Sequence, residues 1–226
     1  MITSINHIAF IMDGNRRHAT SLGQDAVLGH RAGLENLFTI ADYCYGQGIK
    51  EISVYAFSTE NWRRDPREVK ALLSLMHEAI TTKKQEFIDR NIKVRFIGDL
   101  SRFDESVQTE MQTLEQTTKH HTKTLYLCLS YGGRDEIVAG ALAFAKSGNT
   151  SLTADKFETY LWSGDMSDPD MVIRTGGDKR LSGFLLWKAS YSELYFTDTL
   201  WPAFTTDELE GLISQYTEQV RINKGK

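Results

Sequence analysis

His7-Ile-Ala-Phe-Ile-Met-Asp13-Gly-Asn-Arg-Arg17 runs an apolar segment straight into an acid, a glycine, an amide and two arginines. An apolar run of this length, stopped by Asp-Gly-Asn, reads as a buried strand of a parallel sheet ending in a turn. Ligands of open α/β sheets sit beyond the carboxyl ends of the strands, which places Asp13 where chemistry is commonly done. One carboxylate beside Asn15, Arg16 and Arg17 suits a magnesium-bound, phosphorylated ligand, with the acid holding the cation and the arginines taking phosphate oxygens. The same residues also make an ordinary strand-to-helix turn, with an Asp or Asn cap and arginines facing solvent. The segment alone leaves both readings open.

Outward from this stretch, apolar segments alternate with helical patterns. Strands are expected at 7–12, 50–57, 92–97, 124–130, 170–174 and 193–196. Three-to-four spacing of apolar residues predicts helices near 30–47, 66–90, 104–118, 133–147, 153–161 and 205–221. The rhythm predicts an α/β fold with a mainly parallel sheet and helices on both faces. Only three prolines occur, and with no low-complexity linker or repeat the chain reads as a single domain over 1–226. The long 66–90 segment carries a broad apolar stripe that could pack on the sheet or line a tunnel.

A hydrophobic content of 41% and a charged content of 25% are ordinary globular values. A formal net charge of −4 leaves no basic stripe to displace counterions, which argues against nucleic acid as a partner. Arginines gathered at loops of an acidic chain suit small anions instead. The two cysteines, Cys44 and Cys128, lie far apart in apolar surroundings and read as buried free thiols without zinc-ligand spacing. With no signal peptide before the first strand and no membrane-length apolar run, a cytoplasmic protein is expected.

Further polar clusters punctuate the chain. Gly29-His30-Arg31-Ala-Gly33 offers glycines for close backbone approach at a helix start, where free N–H groups favour phosphate, or merely for a turn. Ser58-Thr-Glu60-Asn61-Trp62, followed by Arg63 and Arg64, supplies hydrogen-bonding groups and a ring that can cover an apolar ligand, or simply a helix cap. Ser130-Tyr-Gly-Gly-Arg134 follows the fourth strand. Arg174-Thr-Gly-Gly-Asp-Lys-Arg180-Leu-Ser182 is the most specific cluster, a small-residue loop with two arginines suited to a diphosphate. The nucleotide-binding P-loop, a complete dinucleotide fingerprint, His-Glu-x-x-His and the hydrolase serine elbow are all missing.

In this order the motifs resemble those of the cis-prenyltransferase family, from about His7 to Trp201. They are Met12-Asp-Gly-Asn-Arg-Arg17, Gly29-His-Arg-Ala-Gly33, Tyr55-Ala-Phe-Ser-Thr-Glu-Asn-Trp62, Ile97-Gly-Asp99, Tyr131-Gly-Gly-Arg134 and Ile173-Arg-Thr-Gly-Gly177. Phe184-Leu-Leu-Trp187 and Tyr191-Ser-Glu-Leu-Tyr-Phe196 close the series. The resemblance implies that family's fold with an apolar tunnel, and magnesium-dependent condensation of isopentenyl diphosphate with an allylic prenyl diphosphate, each new double bond being cis. It implies catalytic roles for Asp13, Asn61 and His30, His30 orienting or protonating diphosphate. Gly14, Asn15, Arg16, Arg17 and Arg64 would contact diphosphate, and Ser58, Glu60, Asn61 and Trp62 would help position substrate and the proton it loses. Arg174, Arg180 and Ser182 would hold isopentenyl diphosphate, and Asp13 with Glu193 would serve the metal. Glu193 and the residues after it would also form a homodimer contact, and a lipid product could bring the protein transiently to a membrane.

The sequence departs from the family pattern in places. Ala26 stands where an arginine for the allylic diphosphate is usual, and Gln24-Asp-Ala26 offers an acid nearby. His18 replaces an aromatic residue, Asp65 replaces a proline that would steady its loop, and Gly183 replaces an asparagine. Tyr126 and Leu129 are bulky for a tunnel strand, and either one facing inward implies a short product. Such departures keep two further readings in view. One is a same-fold terpenoid enzyme that couples allylic diphosphates irregularly or cyclises one; the other, disfavoured by Asp13, Arg17 and Arg174, is a non-catalytic partner subunit.

Overall fold

The computed structural model describes residues 5–224. Its centre is a six-stranded sheet in the order β3-β4-β2-β1-β5-β6, with every neighbouring pair parallel. The strands are β1 (His7–Ile11), β2 (Glu51–Ser58), β3 (Ile92–Ile97), β4 (Lys123–Tyr131), β5 (Met171–Arg174) and β6 (Glu193–Phe196). Helices α1 (Asn15–Ser21), α2 (Ala26–Gly46), α3 (Pro66–Thr82), α4 (Lys84–Asp89) and α5 (Glu105–Thr118) occupy the first half of the chain. Helices α6 (Gly133–Lys146), α7 (Ala154–Glu158) and α8 (Thr206–Lys224) follow. Every residue of β1 and of β5 is buried, as expected of parallel strands covered on both faces.

The two-residue alternation of each strand sorts its side chains into two cores. Ile8 and Phe10 join Ile52, Val54, Leu125 and Leu129 under α2, α3, α5 and α8. Ala9 and Ile11 join Tyr126, Cys128, Val172 and Phe184 on the opposite face. Both cysteines are buried and free.

Some local expectations need correction. The predicted 66–90 helix is two helices, interrupted at Lys83, where φ −92° and ψ 6° leave the helical region. Asp65 does not loosen its loop: its carboxylate accepts the Arg67 N–H at 2.8 Å and Pro66 takes the first helical position, a strong helix start. Asp25 likewise caps α2 by accepting the Val27 N–H at 2.9 Å, so the acid beside Ala26 serves the helix. The α2 helix starts at Ala26, so His30 lies in its second turn rather than at its start. Gly29 and Gly33 are there because α1 crosses closely. A Cβ on Gly29 would stand 2.0 Å from the Asn15 carbonyl oxygen, and one on Gly33 2.3 Å from Asn15 Oδ1.

Candidate active site

The chain runs from β1 outward through β2 to β3 and β4, then returns to the other side of β1 as β5. The crevice between β1 and β5 is therefore the switch point of the sheet, where open α/β folds place ligands. Ile11 pairs with Arg174, and Asp13 follows two residues beyond β1. The two side chains meet: Arg174 Nη2 lies 2.9 Å from Asp13 Oδ2. The other Asp13 oxygen, Oδ1, takes Arg17 Nη2 at 3.1 Å.

Arg174 is the hub of this crevice. Its Nη1 donates to the Arg180 carbonyl at 2.6 Å and to Ser182 Oγ at 2.7 Å. Nη2 also reaches Asp178 at 3.0 Å, and Arg180 holds the same Asp178 oxygen at 2.6 Å. Arg174 is only 5% exposed, whereas its partners open to solvent. Gly176 makes the approach possible: at φ +84° a Cβ there would stand 2.6 Å from Arg17 Nη2.

A polar pocket of about 240 Å³ opens between these groups, lined by Asp13, Asn15, His30, Tyr55, Ser58, Asn61, Arg64, Arg174 and Ser182. Beneath it an apolar cavity of about 120 Å³ is walled by Leu34 and Leu37 of α2, Leu72, Leu75 and Met76 of α3, and Leu127 and Leu129 of β4. Met12, Asn15, His30, Ala56 and Leu72 border both spaces. The apolar stripe on α3 is thus a cavity wall as well as a packing surface. Leu129 faces this cavity, while Tyr126, three residues earlier on β4, points to the opposite core and packs on His7 at 5.9 Å.

At the junction, Asn15 Oδ1 and His30 Nε2 are buried and lack a hydrogen-bond partner among the described residues. Burial, helped by the Arg64 charge, holds the His30 ring down to about pKa 4, so it is neutral at pH 7. Arg64 and Arg16 approach Glu68, at 2.9 and 3.9 Å.

Thr59–Arg63 is a 3₁₀ turn capped by Ser58 in a capping box, in which Asn61 Oδ1 accepts the Ser58 N–H at 3.0 Å. The free end of Asn61 is then its NH₂ group, a donor suited to phosphate oxygen. Trp62 turns away from both spaces, donating to Ser130 Oγ at 3.0 Å with Arg102 stacked over it at 4.5 Å. The ring thereby anchors the turn, and Glu60 is exposed without lining either space. Gly14 caps α1 at φ +110°, and the exposed Arg16 stays outside the polar pocket.

The expected metal pair is not brought together within one chain. Glu193 pairs with Met171, at the far end of β5 from Arg174. At about 3.3 Å per residue this separates it from the crevice by roughly 10 Å along the strands. Among the described residues no group of three acids, histidines or cysteines is placed to hold a metal ion. Asp13 alone still fits magnesium, which keeps several waters and binds through one or two carboxylates plus substrate phosphates. The sequence reading missed Tyr55 as a pocket residue. Tyr55 follows the alternation set by Ile52 and Val54 and faces the other core, whereas a register shift between Tyr55 and Phe57 turns Phe57 to the face of Val54, where alternation would not put it.

The family model for undecaprenyl diphosphate synthase, of the prenyltransferases, matches residues 11–223. The isoprenyl transferase of Aquifex aeolicus is 41% identical over 217 residues, which span 95% of this chain and 94% of that protein. A trans,polycis-polyprenyl diphosphate synthase of Thermobifida fusca, (2Z,6E)-farnesyl diphosphate specific, is 42% identical over 205 residues, spanning 88% of this chain and 73% of that protein. The crystal structure of lavandulyl diphosphate synthase from Lavandula x intermedia, in complex with dimethylallyl diphosphate, superposes with a TM-score of 0.89 at 30% identity. The match covers 94% of this chain and 95% of that one.

Proposed function

Because the chain belongs to the undecaprenyl diphosphate synthase family of prenyltransferases, we propose that it condenses isopentenyl diphosphate onto an allylic prenyl diphosphate with cis geometry. The observation that carries this reading is the Asp13–Arg174 contact at the switch point, with a polar pocket above an apolar cavity. Two anionic head groups and one hydrocarbon tail need such a division.

In the proposed reaction the allylic C1–O bond breaks and C1 bonds to C4 of isopentenyl diphosphate. The released diphosphate carries away the proton lost from C2. Magnesium on Asp13 would supply Lewis-acid neutralisation of the leaving diphosphate. Arg17 and the Asn61 NH₂ group orient that diphosphate, with Gly14, Asn15, Arg16 and Arg64 around it and Ser58 beside the reacting carbons. His30 offers a neutral ring nitrogen as an orienting partner. Arg174, Arg180 and Ser182 take the second diphosphate, displacing Asp178 from its arginines. The apolar walls keep water from the allylic cation and receive the tail.

We read the product as short. The cavity of about 120 Å³ is near the size of one engineered to admit a benzene-like guest, and Leu129 closes on it. A second reading, irregular coupling of two allylic diphosphates, is favoured by the fold shared with an enzyme solved with dimethylallyl diphosphate and by Ala26. Pyrophosphate release discriminates. The first reading expects release only when both substrates are present with magnesium, whereas release from an allylic diphosphate alone would establish the second.

A homodimer through β6 belongs to the same proposal. The β3 edge is closed by α5, whose Thr118 and Glu115 side chains accept the Val94 and Phe96 N–H groups at 3.1 and 2.8 Å. Leu194 on β6 and Tyr191 in the turn before it are 43% and 95% exposed, beside Glu193. Open hydrophobic edges of this kind invite pairing with another chain. Light scattering at micromolar concentration should give twice the chain mass, and a monomer mass would refute the dimer. No described helix is long and apolar enough to cross a membrane.

A further inference from the structure

Glu136, in the first turn of α6, is wholly buried at 0% exposure, yet among the described residues no cation pairs with it. It accepts Tyr131 Oη at 2.5 Å and the Ser163 N–H at 2.8 Å. A buried carboxylate balanced only by neutral donors is expensive, so its place in the fold needs a reason.

Tyr131 leads from Glu136 to the crevice. Its ring, also 0% exposed, meets Phe184 edge-on at 6.2 Å and Tyr55 edge-on at 5.9 Å. Tyr55 and Phe184 stack on each other at 4.8 Å. The Tyr55 hydroxyl donates to the Tyr131 carbonyl at 3.1 Å and approaches the Ser182 carbonyl at 3.4 Å. The Gly133 N–H donates to the Gly183 carbonyl at 2.8 Å. All of these converge on one loop, whose backbone is left-handed at Ser182 (φ 50°), Gly183 (φ 82°) and Leu185 (φ 45°). Left-handed serine and leucine persist only where their surroundings over-determine them. The same loop offers the Arg180 carbonyl and the Ser182 hydroxyl to Arg174.

We propose that Glu136 is a positioning residue which, through Tyr131, Tyr55 and Phe184, holds the 180–185 loop in the shape that presents Ser182 and aims Arg174. Glu136 touches no substrate; it sets the affinity for the diphosphate bound at that loop. The inference rests on assigning Arg174 and Ser182 to isopentenyl diphosphate.

The test is steady-state kinetics of the full chain carrying Glu136→Gln, Phe184→Leu or Ser182→Ala, with both KM values measured. Gln keeps the shape of Glu136 but misplaces one of its two acceptors, and Leu removes the ring stack without altering a polar group. Both should raise KM for isopentenyl diphosphate roughly five- to tenfold, with KM for the allylic substrate and kcat nearly unchanged. Ser182→Ala should raise the same KM. If it does, while Glu136→Gln and Phe184→Leu lower Tm but leave both KM values alone or raise them equally, Glu136 is merely structural and the inference fails by itself. If Ser182→Ala leaves KM for isopentenyl diphosphate unchanged, the assignment of the loop is wrong and the inference falls with it.

Discussion

The polar pocket and the apolar cavity share five bordering residues but are built on different principles. The upper space is assembled from the ends of β1, β2 and β5, and its charged groups already balance one another. Asp13 sits on Arg17 and Arg174, Asp178 on Arg174 and Arg180, and Glu68 on Arg64. Arg174 is fixed over the crevice by its contacts to Asp13, Ser182 and the Arg180 carbonyl, and under the proposed function this order lowers the reorganisation that binding and ionisation require. The lower space has no such order. It is a gap between α2, α3 and β4 whose limits are set by side-chain bulk, so its size can change by single substitutions. Chemistry should therefore fail when the upper space is altered, and product length should drift when the lower one is.

The hardest test of that division is Asp13→Ala. It should reduce kcat by roughly a hundred- to a thousandfold, while Tm stays close to that of the parent. Turnover within a few-fold of the parent would break the division outright. Next in size, Arg174→Lys replaces a fork that makes four contacts with a point charge. KM for isopentenyl diphosphate should rise roughly ten- to a hundredfold, although the charge is kept.

In the lower space, Leu129→Ala should lower stability by about 2–4 kcal/mol and lengthen the products seen by mass, leaving the first condensation almost untouched. Unchanged product lengths would show that Leu129 does not set the limit.

The smallest effect concerns the junction. The His30 pKa is held at about 4, against 6.5 for an ordinary histidine, and burial also lowers that of His7. Unfolding lets both rings take up protons below pH 6.5, so their stabilising contribution is complete above 6.5 and is lost as pH falls toward 4. Tm of the ligand-free protein should drop across that window, and His30→Gln should flatten the fall. A Tm equally steep in both proteins would contradict a neutral buried His30.

The sequence exposed the upper space more fully than the lower for the same reason. Parallel strands buried on both faces are continuous apolar runs, so 7–12 and 170–174 mark β1 and β5 within a residue or so. The polar groups at their ends were legible as clusters, but Asp13 and Arg174, 161 residues apart, came into one site before any coordinates only through the family resemblance of their motifs. Which side chains face inward depends on register and local irregularity instead. Leu129 and Tyr126 differ only in parity along β4, and Phe57 is placed by a shift that breaks parity. Trp62 lies outside both spaces, held by Ser130 and Arg102, contacts that its place in the sequence does not announce. Glu193 matches a family acid, and within one chain its parallel pairing with Met171 sets it at the other end of β5 from the Asp13 crevice. Glu136 drew no attention in sequence because nothing near it in the chain announces that it is buried.

The central claim is that the upper space joins a homoallylic unit to an allylic one. The direct measurement is product analysis after incubation with magnesium, an allylic primer and isotopically labelled isopentenyl diphosphate. The account predicts labelled products that exceed the primer by whole isoprene units, with a Z double bond in each unit added. Unlabelled branched or cyclic products formed from the primer alone, or trans double bonds in the added units, would contradict it.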